Sequence, residues 1–389
     1  MFTLRQYQRE AVDSSVRFLR NGTDKNGLLI LPTGSGKSLV IASIVNELKE
    51  PSLVFQPSKE ILRQNFSKLM AYGFRPAVYS ASLGKKQVSG GVTLATIGSV
   101  VRKAEHFDHV KHVLVDECHL VSPAEGMYKS FFGQLSEPRI LGLTATPYRL
   151  ASTMQGPILK FLTRTKPRIF SDVVYYVQNA RLFNEGHLAK LQYYQIKGFD
   201  RSKLRSNSTG ADYTDESIKA HFRDLDFAGK LQRVVERTLE IGRKGVLVFT
   251  RFLHEAEHLA SRIPGAVTVS AETPAAERDR ILKEFKEGQI QVVANVGVLT
   301  TGFDYPELDT VILARPTMSL QLYYQMVGRC IRPHPLKDHG MVVDMVGLMD
   351  QFGKVEDLRI DKRDGKFVIT SGGRQLTNIF FGSPRRGKF

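Results

Sequence analysis

The amino-acid sequence predicts an α/β protein of two tandem lobes, each a parallel sheet covered by helices. At 389 residues the chain exceeds one ordinary domain of roughly 100–200 residues. Short apolar, β-branched runs alternate with amphipathic helical stretches, the pattern of βαβ units. The alternation lapses between about residues 150 and 230 and then resumes, as it would at the passage from one lobe to the next.

In chain order, Gly27–Leu31, Ser52–Gln56, Val92–Thr96, His112–Asp116 and Ile140–Thr144 read as buried strands. Between the first two, Ser38–Lys49 places Val40, Ile41, Ile44, Val45 and Leu48 on one helical face. After the lapse, which includes a polar loop at Ser206–Asp212, strands are predicted at Val246–Thr250, Ala266–Ser270, Gln291–Asn295, Thr310–Ala314 and Met341–Val346. Thr273 and Pro274 form a helix start and Gly288 a stop. Asp364-Gly365 is a hairpin-turn signal between Leu358–Ile360 and Phe367–Thr370. The expected division is a first lobe over 1–165, a basic connector and start of the second lobe over 166–230, the second lobe over 231–350, and a basic C-terminal extension over 351–389.

Composition narrows the function classes. Hydrophobic residues at 42% support sizeable cores, and no apolar run approaches the roughly 18 residues of a membrane span. No apolar signal segment follows Met1, so a cytoplasmic protein with no membrane partner is expected. Two distant cysteines, Cys118 and Cys330, leave no disulfide framework and no multi-cysteine zinc module. The net charge of +16 favours a polyanionic partner. Residues 160–205 hold ten Lys/Arg against three Asp/Glu, and residues 351–389 hold nine against four. Twelve of the sixteen excess charges therefore lie outside the ATP-binding segments proposed next.

The strongest local signal is Leu31-Pro32-Thr33-Gly34-Ser35-Gly36-Lys37-Ser38, between a strand and a helix. Such glycines let backbone N–H groups wrap phosphate oxygens, with the helix N-terminus adding positive potential. Thr33, Gly34, Ser35 and Gly36 form the cradle, Lys37 reaches the β/γ-phosphates, and the Ser38 hydroxyl ligates Mg²⁺. A strict P-loop has glycine where this chain has Leu31, but the flanking strand and helix supply the context a ligand-free turn would lack. Asp116-Glu117-Cys118-His119 ends an apolar strand, where open parallel sheets bind ligands. Asp116 can hold Mg²⁺ through a water, and Glu117 can deprotonate the attacking water. Cys118 and His119 have no further metal ligands nearby in sequence.

Taken in order, Arg5-x-Tyr7-Gln8, Thr33–Ser38, Asp116–His119, Thr144-Ala145-Thr146, Val248–Arg251, Thr300–Asp304 and Gln325–Arg332 resemble the motifs of superfamily 2 helicases with a DECH box, over about 340 residues. Within that superfamily the chain is most similar to RadD-type repair helicases and to UvsW-like phage branch-migrating helicases, though it lacks the cysteine-rich C-terminal extension of the former. The resemblance implies two RecA-like lobes, ATP and Mg²⁺ as cofactors, and DNA as partner, whether single-stranded, forked or branched. It implies a monomer in a bacterial or phage-infected cell.

It also assigns roles. Gln8, helped by Arg5, would read the adenine edge; Thr144 and Thr146 would couple hydrolysis to the nucleic-acid groove. Gly302 and Asp304 would face nucleotide, as would Gln325, with Arg329 and Arg332 as arginine fingers, a role suited to a planar, always-charged fork. Nucleic-acid contacts would come from Pro57, Ser58, Arg63, Thr96, Ser99, Thr250, Arg251 and Thr300; simple helix capping explains Ser58 and Ser99 equally well. Competing readings are an ATP-switched clamp that never unwinds, an RNA helicase, and a restriction-system motor.

Overall fold

The computed structural model describes residues 3–21, 26–153, 156–300, 303 and 305–379. Two compact units emerge: Met1–Arg149 with Lys160–Gln178 and Ile360–Val368, and Leu150–Leu159 with Asn179–Arg359 and Ile369–Phe389.

The first unit is built on strands Gly27–Ile30 (β1), Ser52–Phe55 (β2), Ala77–Ser80 (β3), Lys85–Lys86 (β4), Val92–Ala95 (β5), His112–Val115 (β6) and Arg139–Thr144 (β7). Tyr148–Thr153 (β8) and Gly156–Phe161 (β9) pair with each other, most of their residues belonging to the second unit, and Asp172–Tyr176 (β10) returns to the main sheet. The strand order is β10-β1-β7-β6-β2-β5-β3-β4, parallel except for the antiparallel β3–β4 pair. Helices Gln6–Arg20 (α1), Lys37–Leu48 (α2), Lys59–Ala71 (α3), Ile97–Val100 (α4) and Met127–Phe132 (α5) accompany it. In β1, β2 and β6 every residue is buried, which is why these strands read as unbroken apolar runs rather than alternating ones. On α2, Val40, Ile41, Ile44, Val45 and Leu48 are buried, as their spacing predicts.

The second unit opens with the short helix Asn179–Asn184 (α6) and carries strands Leu191–Gln195 (β11), Val246–Thr250 (β12), Ala266–Val269 (β13), Val292–Asn295 (β14), Thr310–Ala314 (β15) and Gly340–Asp344 (β16). All pair in parallel, in the order β11-β16-β15-β12-β14-β13. Its further helices are Asp215–Asp224 (α7), Phe227–Glu240 (α8), Leu253–Arg262 (α9), Ala275–Lys286 (α10), Leu320–Val327 (α11) and Leu348–Phe352 (α12). Both units are thus α/β, with parallel sheets of RecA-like character.

The expected connector and start of the second lobe over 166–230 differ from the structure at their N-terminal end. Residues 172–176 are an edge strand of the first sheet, and residues 191–195 are an edge strand of the second. Edge strands have one open side, so their residues are only partly buried and carry tyrosine and glutamine instead of an aliphatic run. The lobe boundary expected at 165 accordingly falls after Gln178. The segment Ser206–Asp212 is a self-bonded turn: Asn207 Oδ1 accepts from the N–H of Ala211 at 2.9 Å, and Ser206 bridges Tyr213.

In the C-terminal extension, Leu358–Arg363 (β17), Lys366–Ser371 (β18) and Arg374–Gln375 (β19) make a three-stranded sheet. Asp364 and Gly365 sit at φ 50° and 70°, the two left-handed positions that a two-residue hairpin turn requires. The basic residues Arg385, Arg386 and Lys388 lie outside the described residues. Among the described residues no helix is long and apolar enough to cross a membrane.

Candidate nucleotide site and nucleic-acid contacts

In the first unit, β1 runs into the Gly-rich loop and the loop into α2. Gly34 and Gly36 both adopt φ 81°, a left-handed conformation that glycine takes at little cost. A Cβ on Gly36 would also lie 2.6 Å from Gln8 Nε2. The loop is pinned from α1: the Tyr7 hydroxyl and Gln8 Nε2 each donate to the Ser35 carbonyl at 2.8 Å. Gln8 Oε1 accepts from the Arg5 N–H at 2.9 Å, and Arg5 Nη1 lies 3.4 Å from the Tyr7 hydroxyl. Gln8, expected to read adenine, therefore also clamps the phosphate loop. Tyr7 shares that work, a role sequence reasoning missed although the residue stands inside the Arg5-x-Tyr7-Gln8 motif.

At the start of α2, the amides of Lys37 and Ser38 belong to the first turn and have no intrahelical acceptor. Lys37 Nζ lies 3.5 Å from Glu117 Oε1. Glu117 follows β6 in a left-handed conformation, φ 48°, uncommon for a side chain of its size, and its N–H donates to Asp116 Oδ1 at 3.0 Å. Burial, and then the neighbouring Glu117 charge, push the Asp116 carboxyl up to about 7 despite the pull of Lys37.

Asn65 of α3, which sequence reasoning missed, connects these groups. Its Oδ1 accepts from the Ser38 hydroxyl at 2.5 Å, and its Nδ2 donates to Gln56 Oε1 at 2.7 Å and lies 3.4 Å from Asp116 Oδ2. Ser35 Oγ and Gln56 Nε2 are buried without a partner among the described residues. The Ser38 hydroxyl and Asp116 carboxylate are hard oxygen donors that share one neighbour, a set that suits Mg²⁺ completed by substrate phosphates. A dication there would relieve the repulsion that raises Asp116. No cluster of three His, Cys, Asp or Glu side chains able to hold a metal alone occurs among the described residues.

His119 sits behind Glu117. Its Nδ1 is 2.8 Å from Thr144 Oγ1, 3.1 Å from Thr146 Oγ1 and 3.4 Å from Glu117 Oε2. Burial depresses its pKa, outweighing the opposite pull of Glu117. The imidazole thus joins the carboxylate to Thr144 at the end of β7 and to Thr146 just after it. Cys118 is buried, its thiol pushed far up by desolvation, which makes it an inert packing group; a Cβ on Gly142 would meet its Sγ at 2.7 Å.

The expected nucleic-acid contacts of this unit also follow strand ends. Ser58 caps α3 by accepting from the Ile61 N–H at 3.3 Å; Pro57 is half-buried and Arg63 exposed. Thr96 precedes α4, and its hydroxyl lies 2.9 Å from Ser99 Oγ, which accepts from the Ala81 N–H.

In the second unit, Arg329 donates to the carbonyls of Phe303 at 2.6 Å and Gln325 at 3.2 Å, tying it to the segment that follows β14. Gln325 is half-buried on α11, and burial lowers the pKa of Arg332. Thr250 is fully buried, and its hydroxyl donates to the Asn295 carbonyl at 3.4 Å, bridging β12 and β14. Arg251 is engaged by Asp215 at 2.8 Å and Asp212 at 3.4 Å. Thr300 is half-buried. Gly302 and Asp304 lie outside the described residues.

Known proteins match this arrangement. The family described as "Type III restriction enzyme, res subunit" matches residues 1–149, and "Helicase conserved C-terminal domain" matches residues 229–334. The chain is 25% identical to IRC3 of Saccharomyces cerevisiae, named as a candidate ATP-dependent helicase, over 88% of this chain and 51% of that protein. It is 27% identical to "DNA 3'-5' translocase XPB2" of Sulfurisphaera tokodaii, over 85% of this chain and 78% of that one. A fragment of a candidate HsdR subunit of a type I restriction enzyme from Vibrio vulnificus shares the fold with a TM-score of 0.67 at 19% identity, over 97% of this chain and 71% of that chain. The chain thus spans about half the length of its yeast relative. Two helicase-type family models thus match in tandem, and relatives named as helicase or translocase align along most of the chain.

Proposed function

We propose that the chain is an ATP-driven DNA translocase or helicase that works on forked or branched DNA, as a monomer, in the cytoplasm of a bacterial or phage-infected cell. The observation that supports it most is the grouping of Lys37, Ser38, Asp116 and Glu117 at the carboxyl ends of β1 and β6, around one buried amide. Lys37 would leave Glu117 for the β/γ-phosphates, freeing that carboxylate to take a proton from the attacking water. Ser38 and Asp116 would hold Mg²⁺, which neutralises phosphate charge when bound. Arg329 and Arg332 would act on the γ-phosphate during turnover, and His119 would relay the state of Glu117 to Thr144 and Thr146.

DNA as the track is supported by the translocase relative and by the basic surplus of the chain. The preference for forks and branches rests on the likeness to RadD-type and UvsW-like enzymes, and a part in replication, recombination or repair goes with it. The experiment pairs ATP hydrolysis with strand displacement on forks, Holliday junctions, flaps and plain duplex, in DNA and RNA versions. Displacement or branch migration on DNA forks or junctions is expected. Hydrolysis stimulated by nucleic acid with no strand separated would replace the motor with an ATP-switched clamp, and stimulation by RNA alone would replace the track.

A further inference from the structure

The second unit carries an open groove of about 670 Å³ that none of the ATPase motifs lines. It lies between α8 and the edge strand β11. Tyr194 of the edge strand β11 is in register with Val343 of β16, and Gln192 with Met341, so these side chains share one face. Met341 and Val343, 3% and 4% exposed, form the floor. Val234, Thr238 and Ile241 recur at helical spacing along α8 and its C-cap as one wall. Tyr194 and Ile196 form the other, and both Tyr194 and Ile241 stand about half exposed, at 48% and 53%.

The rim is cationic. Lys230, Arg233 and Arg237 follow one another at three- and four-residue spacing on the groove side of α8, and Lys197 follows β11. Arg233 lies 3.8 Å from Asp226 and Arg237 2.9 Å from Glu240, both through surface pairs that cost little to exchange. Among the described residues no carboxylate lies within ion-pair distance of Lys197 or Lys230. An apolar trough with four cations along its edges is complementary to a ligand that brings apolar bulk and negative charge together.

We propose that this groove docks an acidic peptide segment of a partner protein, with one or two large apolar side chains on Met341 and Val343 and carboxylates against Lys197, Lys230, Arg233 and Arg237. The volume suits a few side chains, within the roughly 300–1,000 Å³ of ligand clefts. A nucleic-acid strand also carries negative charge, but the floor offers aliphatic side chains where bases and sugars need hydrogen-bond partners. A peptide of aspartates flanking two phenylalanines satisfies both floor and rim.

The test is fluorescence anisotropy with the full chain and a labelled peptide of four aspartates around two phenylalanines. Versions with alanine for phenylalanine or lysine for aspartate, and a labelled poly(dT) strand, serve as comparisons. Saturable binding of the acidic aromatic peptide is expected, weakened about tenfold or more by Lys230→Glu with Arg233→Glu and, separately, by Ile241→Asp. All three positions are solvent-accessible, so the variants should keep wild-type melting and basal ATP turnover. Three results would overturn the proposal: no saturable peptide binding, binding that both variants leave intact, or poly(dT) displacing the peptide and losing its own affinity in the same variants.

Discussion

The Ser38 hydroxyl donates a 2.5 Å hydrogen bond to the Asn65 carboxamide, whose nitrogen lies 3.4 Å from Asp116 Oδ2. The two groups assigned to Mg²⁺ are thus held in orientation by one buried side chain from a third segment, α3. Asn65 touches neither phosphate nor water in this role; it is a positioning residue.

Replacing it tests that role. Asn65→Ala should raise the Mg²⁺ concentration for half-maximal ATP hydrolysis about threefold or more, because Ser38 and Asp116 lose their common tether. Taking the amide donor away from Gln56 Oε1 and Asp116 Oδ2 should also cost about 1–3 kcal/mol of stability. A magnesium titration of turnover that overlays the wild type would remove Asn65 from the site.

Asn65 also marks the limit of what the sequence conveys. Lys37, Ser38, Asp116 and Glu117 were legible because each sits in a short motif flanked by an apolar strand that fixes its place at the sheet's carboxyl edge. Asn65 follows no motif and acts through tertiary proximity, 27 residues from Ser38 and 51 from Asp116, which no local pattern encodes. Exposure hid β10 and β11: edge strands are half-exposed, so their pattern is polar and aromatic, whereas the buried strands of both sheets other than β3, a short run of four residues, are legible to within a residue or two. Thr250 shows what a motif position leaves out: its side chain is fully buried and its hydroxyl donates to the Asn295 carbonyl, a bond that no local pattern encodes.

Asp116 gives a pH signature. Its carboxyl is raised from 3.8 to about 7 in the folded chain, so the folded state holds a proton that the unfolded state has lost. The stabilising effect of that proton is complete below about pH 4 and is lost as pH rises through about 7. Asp116→Asn has no such proton to release. Its melting temperature relative to wild type should therefore climb between pH 4 and 7 and level off above, without metal or nucleotide. A difference that stays flat across this window would mean that burial does not hold Asp116 protonated.

Lys37→Ala removes the cation that faces Glu117 at 3.5 Å. ATP turnover should fall at least about a hundredfold, the size of losing one preorganised charge at a reacting phosphate. DNA binding in the absence of ATP should change little, because the expected DNA contacts stand on other strand ends. Measuring hydrolysis and DNA affinity side by side separates these; turnover retained by the variant would exclude the phosphate role.

Arg329 and Arg332 should separate binding from chemistry. Arg329→Ala and Arg332→Ala are each expected to leave nucleotide affinity within a few-fold while lowering the hydrolysis rate by about 10³ or more, the range of an arginine finger. Arg329 carries a second load, since its guanidinium ties the Phe303 and Gln325 carbonyls, so its variant should also melt earlier than wild type. Single-turnover hydrolysis at saturating ATP is the measurement. A wild-type rate in either variant takes that arginine out of the finger role.

In the proposed relay, His119 would link hydrolysis to the track. Its Nδ1 lies between Thr144 Oγ1 at 2.8 Å and Thr146 Oγ1 at 3.1 Å, with Glu117 Oε2 at 3.4 Å, and burial lowers the ring's pKa, favouring its neutral form. A neutral imidazole in that position can report a change at Glu117 to both threonines without placing a second charge beside the γ-phosphate. His119→Ala should therefore keep basal hydrolysis within about threefold while losing most of the stimulation by DNA, because Lys37, Ser38 and Glu117 remain but the relay does not. A merely structural role would lower both rates together along with the melting temperature. His119→Gln, whose amide can reach one threonine hydroxyl, should recover part of the stimulation. Ratios of DNA-stimulated to basal turnover in the two variants decide the matter, and a ratio equal to wild type in His119→Ala would show that Thr144 and Thr146 receive their signal by another route.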